Sequence, residues 1–221
     1  MKKIFDYESK FMERVSQIGE LVWLSLLWLL FSLPVITIGA STCAMYSVCY
    51  GMHERENVST WTSFMRVFRR DFWKATISWI VLALSGVGVA FFCAYLIHTK
   101  ENSVFSWLTF IIVAVVWLIP ATYMIPLVAR FDNTISATIR NCYVLYLTNL
   151  PRSVLASVLT LLPLSMCFSV KVFVCTVLLW GMVGVAAAAY FNSQNYLQIF
   201  ETYSSKHPQG NADKSTAAVE K

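Results

Sequence analysis

The chain has 221 residues, a formal net charge of +5 and a mean hydropathy of +0.61, and 57% of its residues are hydrophobic against 13% charged. A water-soluble domain of this size cannot bury so large an apolar fraction, so the composition excludes a soluble globular protein. The positive net charge is typical of a basic belt at the cytoplasmic leaflet and gives no reason to invoke nucleic acid as a partner.

The apolar residues are collected in blocks long enough to cross a bilayer, which takes about 20 residues of helix. The sequence lacks the alternating strands of a membrane barrel, so these blocks predict helices. We therefore predict an all-α integral membrane protein, a polytopic bundle of five to six transmembrane helices with amphipathic interfacial helices. One domain covers residues 1–203, and residues 204–221 form a disordered cytoplasmic tail. The apolar blocks are Leu21 to Ile38, Ala75 to Ile97, Val104 to Ala129, Ser153 to Val170 and Val172 to Phe191.

The first part of the chain combines a surface helix with a span. Residues 1–18 place apolar side chains at helical spacing among charged ones, which predicts an amphipathic helix on the membrane surface. A first span is expected over Gly19 to Leu33. Because proline removes a helical hydrogen bond and clashes with the preceding turn, the chain should bend at Pro34. Beyond it, either a single kinked helix continues outward or a hairpin returns, with its second arm over Ile36 to Gly51.

The basic residues favour the returning hairpin. With a return, those of the N-terminus, of the loops near residues 55–74 and 130–152 and of the tail share one side, against Lys100 and Lys171 on the other. The positive-inside rule then predicts an even number of crossings before Arg55 and two cytoplasmic termini. This topology corresponds to six membrane passes, or to five spans plus a re-entrant arm.

The returning arm allows two interpretations. Small residues recur at intervals of three and four between Ala40 and Gly51, which predicts close packing against the first span. Alternatively, polar side chains of the hairpin line a cavity in the middle of the membrane, where interrupted helices often bind solutes. The candidate cavity residues are Pro34, Thr37, Ser41, Thr42 and Tyr46.

Two further amphipathic stretches follow. Trp61 to Phe72 has aromatic residues on one face and arginines away from it, which predicts an interfacial helix with aromatics toward acyl chains and arginines toward headgroups. Docking of a cytosolic partner onto the arginines is the alternative. The other stretch, Ile135 to Tyr146, comes after Arg130 and Asp132, which form either an ion pair or a solvated helix boundary. The candidates for an interfacial or partner-facing role are Arg66, Arg69, Arg70, Arg130 and Asp132.

The sequence offers no grouping of residues for catalysis. The six cysteines include no C-x-x-C pair, and the three histidines lie far apart without a partner one helical turn away. A nucleophile with a neighbouring base is also missing from the pattern. We therefore expect no enzyme activity, no cofactor, no metal and no catalytic residue.

Three segments resemble the YesL family of bacterial membrane proteins, catalogued as a domain of unknown function. They are Phe5 to Phe11, Leu33 to Ser41 and Ala129 to Phe131, and the string Leu-Pro-Val-Ile-Thr-Ile-Gly-Ala-Ser in the second is fairly specific. The resemblance covers nearly the whole chain before the tail. It implies a bacterial plasma-membrane protein whose relatives often accompany genes for carbohydrate uptake and polysaccharide breakdown. No established activity comes with the family, so no functional residue is transferred.

The functional prediction is an accessory or regulatory component of bacterial carbohydrate uptake or utilisation, of unknown molecular activity. Its expected partners are the lipid bilayer and a carbohydrate permease or sensor kinase. The alternative is a small stand-alone solute transporter with the Pro34 hairpin along its pathway. Against that alternative, the sequence places no acidic residue deep in a span to couple protons or cations to transport.

Overall fold

The computed structural model describes residues 2–54, 59–98, 104–166 and 184–206. In these ranges the chain is almost entirely helical and forms no strand, so the all-α prediction is confirmed there. The tail beyond residue 206 lies outside the described residues. The helices are α1 (Lys2–Phe31), α2 (Ile38–His53), α3 (Thr60–His98), α4 (Val104–Arg130), α5 (Ile135–Thr148), α6 (Leu150–Met166) and α7 (Val185–Lys206).

The number of membrane spans is only partly defined. Of the described residues, three segments are long and apolar enough to cross a bilayer, namely Val35–His53, α3 and α4. The predicted spans Ser153 to Val170 and Val172 to Phe191 lie partly outside the described residues. The structure therefore supports a membrane protein and does not confirm five to six spans.

The chain reverses at the predicted proline. α1 ends shortly before Pro34, since the residue preceding a proline disfavours helical geometry. The indole N–H of Trp28 donates to Thr42 Oγ1 at 3.0 Å, and the hydroxyls of Ser32 and Ser41 lie 2.6 Å apart. These contacts bring the last turn of α1 against the first turns of α2, as the hairpin interpretation requires.

In two places, a pair of elements that the sequence predicts as separate forms one continuous helix. α1 runs without a break through the predicted surface helix and the first span. α3 likewise joins the predicted interfacial stretch to the following span. With 39 residues and a rise of about 1.5 Å for each, α3 is about 58 Å long, roughly twice the thickness of the hydrocarbon core. Part of α3 must therefore project beyond the membrane.

The aromatic face of the first part of α3 packs on protein, which differs from the predicted contact with acyl chains. Phe64 is fully buried. The ring centroid of Phe31 lies 5.6 Å from that of Phe64 and 5.1 Å from that of Phe68. The difference arises because the end of α1 returns to cover this face, an encounter that the pattern of α3 alone does not contain.

Pro120 interrupts the hydrogen-bond ladder of α4 and is compensated by α5. A proline has no N–H, so the carbonyl of the residue four positions earlier loses its helical donor. Here that carbonyl belongs to Val116, and it accepts a hydrogen bond from the hydroxyl of Tyr143 at 3.1 Å. The interruption thus becomes a point of attachment between α4 and α5.

Pro126 is compensated in the same way by α7. The carbonyl of Thr122, which loses its donor to Pro126, accepts a hydrogen bond from the buried hydroxyl of Tyr196 at 3.1 Å. The hydroxyl of Tyr50 in α2 donates to the carbonyl of Pro126 itself at 3.3 Å. The second half of α4 is therefore tied to α2 and α7.

Candidate functional site

The turn between α1 and α2, residues 32–37, is held by its own polar groups. The hydroxyl of Thr37 lies 2.7 Å from the carbonyl oxygen of Phe31 and 2.7 Å from that of Pro34. The backbone N–H of Thr37 also donates to the Pro34 carbonyl at 2.9 Å. From the neighbouring helix α3, the indole N–H of Trp79 donates to the carbonyl of Val35 at 3.0 Å. Thr37 therefore closes the turn.

The hydroxyls of Ser41 and Thr42 are also engaged within the hairpin. Ser41 contacts Ser32 and donates to the carbonyl of Ile38 at 3.0 Å. Thr42 donates to the same carbonyl at 2.7 Å and accepts the hydrogen bond from Trp28. Because these hydroxyls already have protein partners, their arrangement favours packing over solute binding.

α2 approaches α3 closely at Gly39, next to the predicted small-residue face. A Cβ atom on Gly39 would lie 2.4 Å from Cβ of Trp79 and 2.6 Å from the carbonyl oxygen of Ala75. Only glycine permits this approach of the two helices. Gly39 precedes the predicted small-residue face, of which Ala40 and Ala44 are buried. The close approach observed at Gly39 is to α3, whereas the sequence interpretation named the first span as the partner of that face.

Tyr46, the last candidate of the hairpin, belongs to a different environment. It is buried in a group of rings from α2, α4, α5 and α7 that we call the tyrosine cluster. Ring centroids are 6.0 Å apart for Tyr46 and Tyr196, and 4.9 Å apart for Tyr123 and Tyr196. Sequence reasoning missed the cluster because its members are far apart in the chain and follow no common spacing. Its members are Tyr46, Tyr50, Tyr123, Tyr146 and Tyr196.

The cluster is also a hydrogen-bonded layer. The hydroxyls of Tyr123 and Ser153 are 2.8 Å apart, and those of Tyr146 and Ser157 are 3.4 Å apart. Buried hydroxyls need such partners, because an unpaired one loses its hydration without compensation. The layer thereby fixes α6 against α4 and α5.

A charged end forms where α2 and α4 terminate. Arg130 Nη1 lies 2.7 Å from Glu54 Oε1, and the Arg130 side chain is only 14% exposed. Asp132 pairs with Lys74 of α3. Arg130 and Asp132 thus each have an ion-pair partner from another helix, Glu54 being one that the sequence did not indicate. We refer to the Glu54–Arg130 and Lys74–Asp132 pairs as the charged end.

The three arginines of α3 lie on its exposed surface. Arg66, Arg69 and Arg70, which we call the arginine face, are related by steps of three and four residues and so share one side of the helix. An arginine at the centre of a bilayer costs about 2.5 to 3.5 kcal/mol, so the three mark a part of α3 outside the hydrocarbon. Trp73 follows with 74% of its surface exposed, as is typical of the membrane interface. Beyond it come exposed aliphatic residues: Ile77, Ile80, Val81, Leu84 and Val87.

Comparison with known proteins finds one family match. Residues 21–93 match the sequence profile of the family described as "Protein of unknown function, DUF624". YesL-family proteins carry this domain, so the resemblance seen in Leu33 to Ser41 is confirmed over the matched residues. The match extends from α1 to α3 and includes the hairpin and the arginine face. Comparison with curated proteins and with solved structures gives no match.

Proposed function

We propose that the protein is an accessory or regulatory component of bacterial carbohydrate uptake or utilisation in the plasma membrane, with both termini cytoplasmic. The resemblance to the YesL family supports the carbohydrate context. The distribution of basic residues supports the orientation. The partner is a carbohydrate permease or a sensor kinase that docks at the charged end.

The observation that carries this proposal is the difference in solvent exposure between two sets of polar groups, both of which have protein partners. The hydroxyls of Thr37, Ser41 and Thr42 are used inside the hairpin. By contrast, the side chains of Lys74 and Asp132 are 50% and 55% exposed. Polar recognition is therefore better supported at the charged end than along a solute path through the hairpin.

Exposed ion pairs suit a reversible docking surface. Such a pair contributes about 0 to 1 kcal/mol to stability, because water already solvates both charges. Charged groups of a partner can therefore replace Lys74 or Asp132 in the pair at little expense in stability. Complementary charges also accelerate and select the encounter with the partner.

We also propose that the protein has no catalytic activity of its own. In the described part of the chain, no group of three His, Cys, Asp or Glu side chains is placed to hold a metal. The ring of His53 stacks on Tyr190 with centroids 4.2 Å apart, and a ring nitrogen lies 3.1 Å from the Tyr190 carbonyl oxygen. A product that disappears after substitution of Asp132 or His53 would contradict this proposal.

The test is crosslinking and mild-detergent co-purification of the tagged protein from native membranes of cells grown on plant polysaccharide. We expect a carbohydrate permease or sensor kinase in near-stoichiometric amount. Recovery of this chain alone would contradict the proposal. Solute flux into liposomes containing only this protein would then test the stand-alone transporter.

Charge variants show whether recognition depends on the charged end. Asp132→Lys should abolish co-purification of the partner while leaving the elution volume and thermal midpoint of the purified protein almost unchanged. The exchange of Lys74→Asp together with Asp132→Lys restores an ion pair but reverses its direction. If the pair acts by recognition, the exchange variant also loses the partner; if it acts only by stability, the exchange variant keeps it.

A further inference from the structure

We propose that the α1–α2 turn is a re-entrant anchor that enters one leaflet of the bilayer and returns, so that neither arm crosses. Leu33, Val35 and Ile36 bind the acyl chains of that leaflet. Arg66 and Arg69 of the arginine face bind the phosphate groups of anionic phospholipids in the same leaflet, whereas Arg70 forms an ion pair with Asp71. This surface and its lipid partner go beyond the proposed role in carbohydrate uptake.

The first argument is the register of α2 against α3. Trp79 donates to the carbonyl of Val35, and Gly39 packs at Ala75 and Trp79. From this point α2 runs toward the start of α3, along the part that carries the arginine face. Although Val35–His53 is long enough to cross a bilayer, its neighbour on α3 is the part that arginines keep out of the hydrocarbon.

The end of α1 gives the same register. The ring of Phe31 contacts Phe64 and Phe68, and its centroid lies 6.5 Å from that of Trp61. These residues bracket Arg66 and come before Trp73 in α3. The last turn of α1 is therefore level with the arginine face and does not reach the far side of the apolar segment of α3.

The second argument is the exposure of the turn. Leu33, Val35 and Ile36 are 74%, 67% and 62% exposed. The hydrogen bond from Trp79 places this apolar surface beside the exposed aliphatic residues of α3, which begin at Ile77. Apolar side chains grouped in this way require a nonpolar environment. The acyl chains that surround α3 beyond Trp73 supply it.

The third argument is the hydrogen bonding of the turn backbone. Irregular backbone within lipid is stable only when its polar groups find partners in the protein. The carbonyls of Phe31, Pro34 and Val35 each accept a hydrogen bond, from Thr37 or from Trp79. These three carbonyls thus meet the requirement that immersion in a leaflet imposes.

The depth of insertion follows from the rise of α3. Trp73 marks the interface, and Trp79, which contacts the turn, lies about 9 Å further along the helix axis. This distance is less than one leaflet, whose hydrocarbon is about 15 Å thick. Of the three described segments long enough to cross, α3 and α4 then cross and Val35–His53 does not, and residue 54 lies on the same side of the membrane as the N-terminus.

The experiment uses full-length variants whose native cysteines are replaced, each with one new cysteine, in proteoliposomes and in intact cells. The positions are Val35→Cys at the turn, Arg66→Cys at the arginine face, His98→Cys at the other end of α3 and Val87→Cys within the apolar segment. A membrane-impermeant maleimide reports the side of exposure. A fluorescent label quenched by lipids carrying a nitroxide at acyl carbon 5 or 12 reports depth.

We expect the reagent to label residues 66 and 98 from opposite sides and to leave residue 35 unlabelled from both. The turn lies about 9 Å into a leaflet of about 15 Å, so the probe at residue 35 should be quenched more by the carbon-12 nitroxide, as should the probe at residue 87. Labelling of residue 35 from the side of residue 98 would show that the hairpin crosses and would overturn the proposal. Labelling of residue 35 from the side of residue 66, or stronger quenching of its probe by the carbon-5 nitroxide, would also overturn it.

The headgroup part is tested by adding phosphatidylglycerol or phosphatidylcholine to delipidated protein and counting bound lipids by native mass spectrometry. Arg66→Gln with Arg69→Gln should weaken phosphatidylglycerol binding about fivefold for each arginine, while phosphatidylcholine binding is unchanged. Arg140→Gln with Arg152→Gln removes the same charge elsewhere and serves as the matched control. Equal losses in the two variants would show a net-charge effect and overturn the assignment of the arginine face.

Discussion

The two halves of α4 have similar apolar sequences and opposite surroundings. From Val104 to Val116 most side chains are exposed, with Phe105 at 78%, whereas from Thr122 to Ala129 every residue is buried. The hydroxyls of Tyr143, Tyr196 and Tyr50 donate hydrogen bonds to α4, and all three go to carbonyls of residue 116 or later. Hydropathy alone therefore identifies a helix that avoids water, and partner helices decide whether it meets lipid or protein.

We expect the largest loss of stability from a substitution at the start of α2, where Gly39 packs against α3. Gly39→Ala places a methyl group against the Ala75 carbonyl and Trp79, so the helices must separate, at about 1 to 3 kcal/mol for overpacking. The thermal midpoint in detergent should fall clearly. Gly88→Ala is the matched control, because nothing lies within 4 Å of its Cβ position. Equal midpoints for the two variants would contradict the close contact of α2 with α3.

The next effect concerns the proline-freed carbonyl in the buried half of α4. Tyr196→Phe leaves the Thr122 carbonyl without its donor and should cost about 1 to 3 kcal/mol. Pro126→Ala supplies an N–H to the same carbonyl. The loss from Tyr196→Phe should therefore be smaller in the Pro126→Ala background, as measured by thermal unfolding of the four proteins of the cycle. Additive losses would show that the tyrosine stabilises by packing alone.

The two ion pairs of the charged end should differ in their contribution to stability, by less than the preceding substitutions. Glu54→Gln removes the carboxylate that pairs with Arg130, whose side chain is 14% exposed, and should destabilise the protein by about 1 kcal/mol. Asp132→Asn affects a pair that is half exposed on both sides, so the change should be close to zero. Thermal midpoints of the two variants, each in low and high salt, measure the difference. A larger loss for Asp132→Asn would contradict the burial difference.

The smallest effect is chemical and leaves stability unchanged. Burial raises the pKa of the Cys142 thiol to about 12. Because the reactive species is the thiolate, alkylation of a single-cysteine protein at position 142 should be slow at pH 8 and should still accelerate at pH 10. Arg140→Cys on the exposed side of α5 should react fast at pH 8 and level off near pH 9. Equal rates at pH 8 would contradict burial of this side of α5.

The sequence predicts well those features of the fold that depend on consecutive residues. Pro34 marks the reversal, and the apolar runs of α3 and α4 mark helices long enough to cross, because both signals reside in consecutive residues. The continuity of α3 was not predicted, since the change from amphipathic to uniformly apolar pattern near Trp73 resembles a boundary between elements.

The partners across the fold could not be predicted. Glu54 and Arg130 pair over a long stretch of chain, and the tyrosine cluster draws on four helices. Pro126 predicts that the Thr122 carbonyl lacks its helical donor. The local sequence does not indicate that the hydroxyl of Tyr196 donates to it. For the hairpin, the sequence identifies the polar residues. Only the structure shows that the hydroxyls of Thr37 and Thr42 form hydrogen bonds within the hairpin.

The most direct test of the account is lipid contact along α4. A nitroxide-carrying lipid should quench a fluorescent label at Ile112→Cys strongly, because that side chain is 60% exposed. A label at Arg130→Cys, at the end of the buried half, should be quenched weakly, and lipid photocrosslinking to Met124 should be absent since that side chain is 1% exposed. Equal lipid contact at residues 112 and 124 would contradict the division of α4 into a lipid-facing half and a protein-facing half.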